Sequence, residues 1–338
     1  MPDVELLFRG TLLLPGGVLP AGAVRTRGGR IVAVGPEAEV AAGIPDTTEA
    51  IDAGEGYVSP GFVDLHVHGG DGADFMDGTD EAFATSLAAH ARHGTTSIVP
   101  TTTAARHEQI LAMLHTCRRF QGRDDGRGSR VLGAHLYGPY FRHEARGCHP
   151  GAPIRAPERQ EYAQYLDLAG AIATASVAPE LPGAEQFTRD CLDRGIRMGA
   201  GHTHATFVEM ADAVRWGIRH VDHLFCAMSD KSKLRQRQPY PMQGGVLEAT
   251  LYFDELSTEV IADGKHLTAD LLLLAWKIKG PDQLALVTDC NRALDRPEGG
   301  YVFGPLEGGE PFVSRDGVGL MPDGLSLASS TRGMEHMV

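Results

Sequence analysis

Ser59-Pro-Gly-Phe-Val-Asp-Leu-His66-Val-His68-Gly69 reads as a strand running into a loop: apolar residues lead in and glycines follow. Side chains on an extended strand alternate with period two, so His66 and His68 point the same way. A His-x-His pair at the end of a strand can offer two imidazole nitrogens to one divalent metal. The pair alone is weak evidence, and its neighbours along the chain decide how it is read.

From Tyr57 onward, apolar strand-like runs alternate with amphipathic helical stretches such as 81–91 and 269–276, which is the βα signature of a parallel sheet. Eight strands are predicted, at 57–68, 95–103, 130–137, 172–179, 197–203, 220–225, 259–263 and 284–290. Eight βα units over this length fit an α/β fold of the TIM (β/α)8 type, whose chemistry sits at the C-terminal ends of the strands. Residues 1–56 read instead as short strands with glycine turns, and the glycine-rich stretch from about 300 to 338 resembles them. The expected organisation is a barrel over 57–299, with a small β-sandwich lobe built from both ends of the chain.

The 338 residues carry 42% apolar and 22% charged residues, ordinary for a globular enzyme. Lys and Arg number 31 against 44 Asp and Glu, a net charge of −13, which argues against nucleic-acid or anionic-membrane partners and for a small-molecule substrate. Met1-Pro-Asp-Val-Glu lacks a basic leader, and no apolar run is long enough to span a bilayer. The five cysteines (Cys117, Cys148, Cys191, Cys226, Cys290) are odd in number and scattered, so a reducing, cytoplasmic setting is expected.

Polar residues recur where a barrel active site needs them. Strand 1 ends in His66 and His68, strand 5 in His202 and His204, strand 6 in Asp222-His223 and strand 8 in Asp289. Imidazole suits zinc or iron, and a metal with an open position lowers the pKa of its water towards ~7. Asp289 could take that water's proton and later deliver it to the leaving group.

The chain resembles the amidohydrolase superfamily and, within it, the N-acetylglucosamine-6-phosphate deacetylase family. The matching stretches are Pro60-Gly-Phe-Val-Asp-Leu-His-Val-His-Gly, Gly94-Thr-Thr-Ser-Ile-Val-Pro-Thr, Gly133-Ala-His-Leu-x-Gly-Pro, Ala178-Pro-Glu, Gly201-His, His223-Leu-Phe-x-Ala-Met, Ala262-Asp-Gly-x-His and Val287-Thr-Asp. The resemblance implies His202 and His223 as metal ligands, His66 and His68 at a second metal position, and Asp289 as general acid/base. It implies that His149 holds and polarises the acyl group and that Cys226 and Ala227 lie at the substrate. His266 resembles a substrate-contacting histidine that the family supplies across a dimer interface, and a homodimer follows from that likeness. The implied cofactor is a divalent metal, zinc first, with iron, manganese or cobalt as other candidates.

Two departures stand out. The family reads His-Leu-Glu-Gly-Pro, and its glutamate is a metal ligand; here the position is Tyr137. A neutral phenol with a pKa near ~10 is a poor ligand unless a metal ionises it. The metal could then shift to His66, His68, His202 and Asp289, giving one metal rather than two. Tyr137 could instead ligate or touch the substrate, or metal and activity are lost. The segment that follows His223 is also altered, and Lys231, Lys233, Arg235 and Arg237 could supply a replacement anion site or form a solvated loop. The expected reaction is hydrolysis of an N-acyl amide, foremost on an N-acetylated amino sugar. The rivals are another amide, a cyclic amide or a deamination substrate, or an inactive sugar-phosphate-binding relative.

Overall fold

A computed structural model describes residues 4–45, 47–123, 126–324 and 326–338. The chain divides into two compact units with the boundary after Gly61.

In the first unit, β1 (Glu5–Leu14), β2 (Gly17–Arg27), β3 (Arg30–Pro36) and β4 (Glu49–Val58) form one sheet in the order β3-β2-β1-β4. The β1–β2 and β2–β3 pairs are antiparallel, while β1 and β4 run parallel. The two apolar runs near residues 6 and 11 are one strand, with a register shift between Gly10 and Leu12. Leu7, Ala23 and Val40 pack into its small core.

The second unit begins at β5 (Phe62–Val67), followed by a tight pair, β6 (Gly69–Gly70) and β7 (Ala73–Asp74). Next come β8 (Thr95–Pro100), β9 (Arg130–Val131), β10 (Ala134–Tyr137), β11 (Ile172–Val177), β12 (Arg197–Ala200), β13 (His220–Val221), β14 (Ser257–Ile261) and β15 (Leu284–Val287). These form parallel sheets in the orders β5-β8-β9 and β10-β11-β12-β13-β14-β15. Single parallel bridges link the two sheets: Thr101, just past β8, to His135 in β10, and Val67 in β5 to Cys290, just past β15. All eight predicted strands recur, except that the first breaks at Ser59–Gly61, where β4 ends and β5 begins, and the third breaks at Leu132–Gly133, between β9 and β10.

Helices fill the crossovers for local reasons. In the helix Asp80–Arg92, Thr79 Oγ1 accepts from the Ala82 N–H at 3.1 Å, and Asp80 and Glu81 face the positive helix end. Its Ala82, Phe83, Ser86, Leu87, Ala89 and His90 recur at helical spacing and are buried. His90, which carries no motif and is expected at the surface or on a helix, is fully buried on this one. The helix Ala269–Gln283 is interrupted at Gly280, where φ is 63°, just before Pro281. The core joins Phe75, Phe83, Ile98, Ile110, Tyr140 and Phe187.

The C-terminal strands β16 (Gly299–Phe303), β17 (Glu310–Arg315), β18 (Val318–Leu320) and β19 (Leu327–Ser330) make an antiparallel sheet in sequence order. A single parallel bridge from Ser330 to Cys290 sets β19 against the chain that leaves β15. No described helix is long and apolar enough to cross a membrane.

Candidate active site

Period-two alternation on β5 turns Asp64, His66 and His68 inward, while Val63 and Leu65 remain on the more exposed outer face. Asp64 fixes the end of the neighbouring strand by accepting from Thr288 Oγ1 at 2.5 Å and from the Thr288 N–H at 3.2 Å. The Asp289 N–H donates to the His66 carbonyl at 2.9 Å, which sets the Asp289 carboxylate beside both histidines. Asp289 Oδ1 lies 3.2 Å from His68 Nε2 and 3.8 Å from His66 Nε2.

A cavity of about 260 Å3 opens above this group. Its walls include His68, Tyr137, His149, His202, His223, Cys226, Ala227, His266 and Asp289, so nine of the ten residues singled out in the sequence meet in one place. The tenth, His66, is buried against Tyr137 (ring centroids 4.4 Å) and His68 (5.3 Å). His266 lines the cavity of its own chain, held there by Asp263 at 2.8 Å. Of the basic residues at 231–237, none is among the described residues that line the cavity. Lys233 Nζ and Arg237 donate to the Met228 and His204 carbonyls.

Hydrogen bonds fix the tautomers. His202 Nδ1–H donates to the Ala145 carbonyl at 2.7 Å, leaving the Nε2 lone pair free, and its ring stacks on Phe141 at 4.5 Å. His149 Nδ1 accepts from the Ala104 N–H at 3.2 Å, which puts its proton on Nε2. The Tyr137 hydroxyl meets His223 Nε2 at 2.5 Å. Burial and the charges of neighbouring histidines hold His149 and His202 neutral, and burial with the charge of His66 takes His223 down to about 4. Burial and the charges of Asp222, Asp289 and Glu259 push the Tyr137 phenol well up, so it is a neutral donor.

Sequence reading passed over an acidic layer beneath His66. Glu259, on β14, accepts from His66 Nδ1 at 2.5 Å and lies 3.2 Å from His220 Nε2 through its other oxygen. A carboxylate within a predicted barrel strand, just before Val260 and Ile261, was the signal available for it. Both Asp222 oxygens are buried without a hydrogen bond. Gly201 precedes His202 for a steric reason: a Cβ there would collide with Asp222 Oδ2.

The donor set fits a divalent metal. His66 Nε2 and His68 Nδ1 are buried with no hydrogen-bond partner, and His68 Nε2 faces only the Asp289 carboxylate at 3.2 Å. Ligand atoms of His66, His68 and Asp289 lie within 4.8 Å of one another, as do those of His66, Asp222 and Glu259. Burial alone would lower the His66 pKa, yet Glu259, Asp289 and Asp222 drive it up to about 9. The acids therefore call for positive charge here, which a cation supplies as well as a proton. Burial opposes ionisation of Asp289, but His66, His68 and His223 outweigh it and keep the carboxyl well below the usual range.

The cysteines have a quieter place. Burial and acidic neighbours push the thiols of Cys148 and Cys290 well up, and that of Cys226 to about 12, so they are packed as inert thiols. Phe303, on β16, packs edge-on against His68 at 4.9 Å, and Ser326, Leu327 and Ser329 form further wall. These C-terminal contributions had no signature in the sequence. Backbone strain also gathers here: His202, Ala227, Asp289 and Ser329 hold φ of 44°, 49°, 46° and 65°.

Comparison with known proteins follows the same lines. The amidohydrolase family profile matches residues 57–296. N-acetylglucosamine-6-phosphate deacetylase of Bacillus subtilis is 31% identical over 299 residues, covering 87% of this chain and 72% of the relative. N-acetylgalactosamine-6-phosphate deacetylase of Escherichia coli O157:H7 is 30% identical over 338 residues, covering 96% and 82%. Among solved structures, N-acetylglucosamine-6-phosphate deacetylase of Pasteurella multocida superposes with a TM-score of 0.86 at 27% identity, over 98% of this chain and 82% of that one. A point mutant of the Mycobacterium smegmatis deacetylase, in complex with N-acetyl-D-glucosamine-6-phosphate, gives 0.85 at 28% identity, over 99% and 82%.

Proposed function

Because the chain belongs to the amidohydrolase family and, within it, to the N-acetylglucosamine-6-phosphate deacetylase family, we propose that it hydrolyses the N-acetyl amide of an amino sugar of the N-acetylglucosamine 6-phosphate type. The observation that carries this reading is the convergence of His66, His68 and Asp289 at the floor of a cavity also lined by His149, His202 and His223.

In this reading His66, His68 and Asp289 hold one divalent metal, zinc foremost. Such an ion supplies Lewis acidity towards a carbonyl and acidifies water into the neutral range. The chain's own residues do the rest. Asp289, ionised at neutral pH, accepts a proton from the attacking water and delivers it to the amine nitrogen as the C–N bond breaks, releasing acetate and the free amino sugar. His149 offers Nε2–H to the acyl oxygen as it gains charge. Tyr137 occupies His223 Nε2 with its hydroxyl, which favours the β5 position for the metal over one between these two residues. His266, Cys226 and Ala227 shape the wall around the sugar.

The same proposal takes the second unit as an eight-stranded (β/α)8 barrel, because single bridges from Thr101 to His135 and from Val67 to Cys290 link its two parallel sheets. It takes the working protein as a cytoplasmic homodimer. The test is acetate release from N-acetylglucosamine 6-phosphate by zinc-reconstituted protein, run beside the unphosphorylated sugar. Release from either supports deacetylation; release from neither, in protein shown to hold metal, sinks it.

A further inference from the structure

The layer beneath His66 has no part in the reaction as derived above, yet it is elaborately partnered. Glu259 is almost wholly buried at the middle of β14, Ser257-Thr-Glu-Val-Ile. Burying a carboxylate there costs several kcal/mol unless its oxygens are matched by donors. Both oxygens are matched: Oε1 takes His66 Nδ1 at 2.5 Å, and Oε2 faces His220 Nε2 at 3.2 Å. His220 is braced in turn, with Nδ1 2.9 Å from Ser257 Oγ. The line of contacts runs from Ser257 through His220 and Glu259 to His66, and it ends at the one ring nitrogen of His66 with no partner, Nε2.

From this geometry we propose that Glu259 is a positioning residue for the metal: it holds the proton of His66 on Nδ1 and so presents the Nε2 lone pair towards the site shared with His68 and Asp289. A histidine ligates through a bare nitrogen, and the hydrogen bond made by its other nitrogen selects which one is bare. The proposal rests on the reading of that site as a metal centre. It also accounts for the tolerance of Tyr137, since a carboxylate behind His66 strengthens the imidazole as a donor where the family's ligand glutamate is missing. The neighbouring set of His66, Asp222 and Glu259 is close enough to suggest a cation of its own. The short Nδ1–H to Oε1 bond speaks against that, because a metal on Glu259 Oε1 would compete with the proton it accepts.

The test compares wild type, E259A and E259Q. Zinc affinity is measured by competition with a chromophoric chelator, the ligand field by the visible spectrum of the cobalt(II) form, and the fold by thermal unfolding of metal-free protein. E259A is expected to weaken zinc binding about 10–100-fold and shift the cobalt spectrum. E259Q, whose amide oxygen still accepts from Nδ1–H, should recover part of the affinity. At saturating zinc, E259A should regain kcat to within a few-fold with an unchanged KM. Equal zinc affinity in wild type and E259A would make Glu259 structural only and overturn the proposal. So would the loss of a second bound zinc, which would make the acidic layer a metal site. Should E259A fail to fold, E259Q and the 15N shifts of His66 in wild type, which report its tautomer, carry the test. Zinc binding that depends on Glu259 without acetate release would leave this proposal standing while the functional reading fell.

Discussion

The hydroxyl of Tyr137 sits 2.5 Å from Nε2 of His223, with both side chains buried. A phenol this far from ionising is a donor, so it engages the lone pair that His223 would otherwise offer to a metal. One metal per chain is therefore expected in wild type by elemental analysis. Y137E, which puts a carboxylate beside His202 and His223, should raise the count towards two. Two metals in wild type would refute the argument.

Asp289 is the carboxylate poised to shuttle the proton. D289N at saturating metal should lower kcat about 10²- to 10⁴-fold, the usual range for a lost general acid/base. Chelation should abolish wild-type turnover, and added metal should restore it. Near wild-type kcat in D289N would move the proton transfer to another group.

The described cavity wall carries no lysine or arginine. A hydrogen bond to a charged group contributes about 1.5–3 kcal/mol, or roughly 10–100-fold in binding. The kcat/KM advantage of the phosphorylated over the unphosphorylated sugar is thus expected to stay under about tenfold. A much larger ratio, lost on replacing Lys231 and Arg235, would bring the basic 231–237 segment to the substrate.

His90 gives the fold a pH dependence of its own. Its Nε2–H donates to the Gly69 carbonyl at 2.9 Å, Nδ1 has no partner, and burial lowers its pKa to about 4. A depressed histidine contributes stability fully above its unfolded pKa of ~6.5, and the contribution is lost as pH falls towards 4. The loss amounts to roughly 3 kcal/mol at ~1.4 kcal/mol per unit. Denaturant unfolding of wild type and H90Q between pH 7 and 4 should show a flatter profile for H90Q; parallel curves would acquit His90.

Much of this was legible in the chain because it rests on local rules. Period-two alternation puts His66 and His68 on one face, and Asp64, two residues earlier, shares it. The strand-end positions of His202, His223 and Asp289 followed from the βα rhythm. What escaped depends on tertiary neighbours. Glu259 reaches His66 from another strand, 193 residues away, and His220 braces Glu259 in turn. Phe303 and Ser329 arrive from a C-terminal sheet whose register leaves no mark in the sequence of the barrel. The burial of His90 depends on the Gly69–Gly70 turn that its helix covers.

The left-handed backbone at His202, Ala227, Asp289 and Ser329 has a practical consequence. Each such residue costs on the order of 1–3 kcal/mol, supplied by the rest of the fold. Attempts to make the protein hardier against heat will find their easiest gains at this rim, where relaxing one loop releases stored strain. Those gains would loosen the ring of groups that must close on the amide, so heat tolerance won here would be traded against turnover. Durable variants should come instead from substitutions in the outer helices, such as the exposed Leu273 and Trp276, which leave the rim under tension.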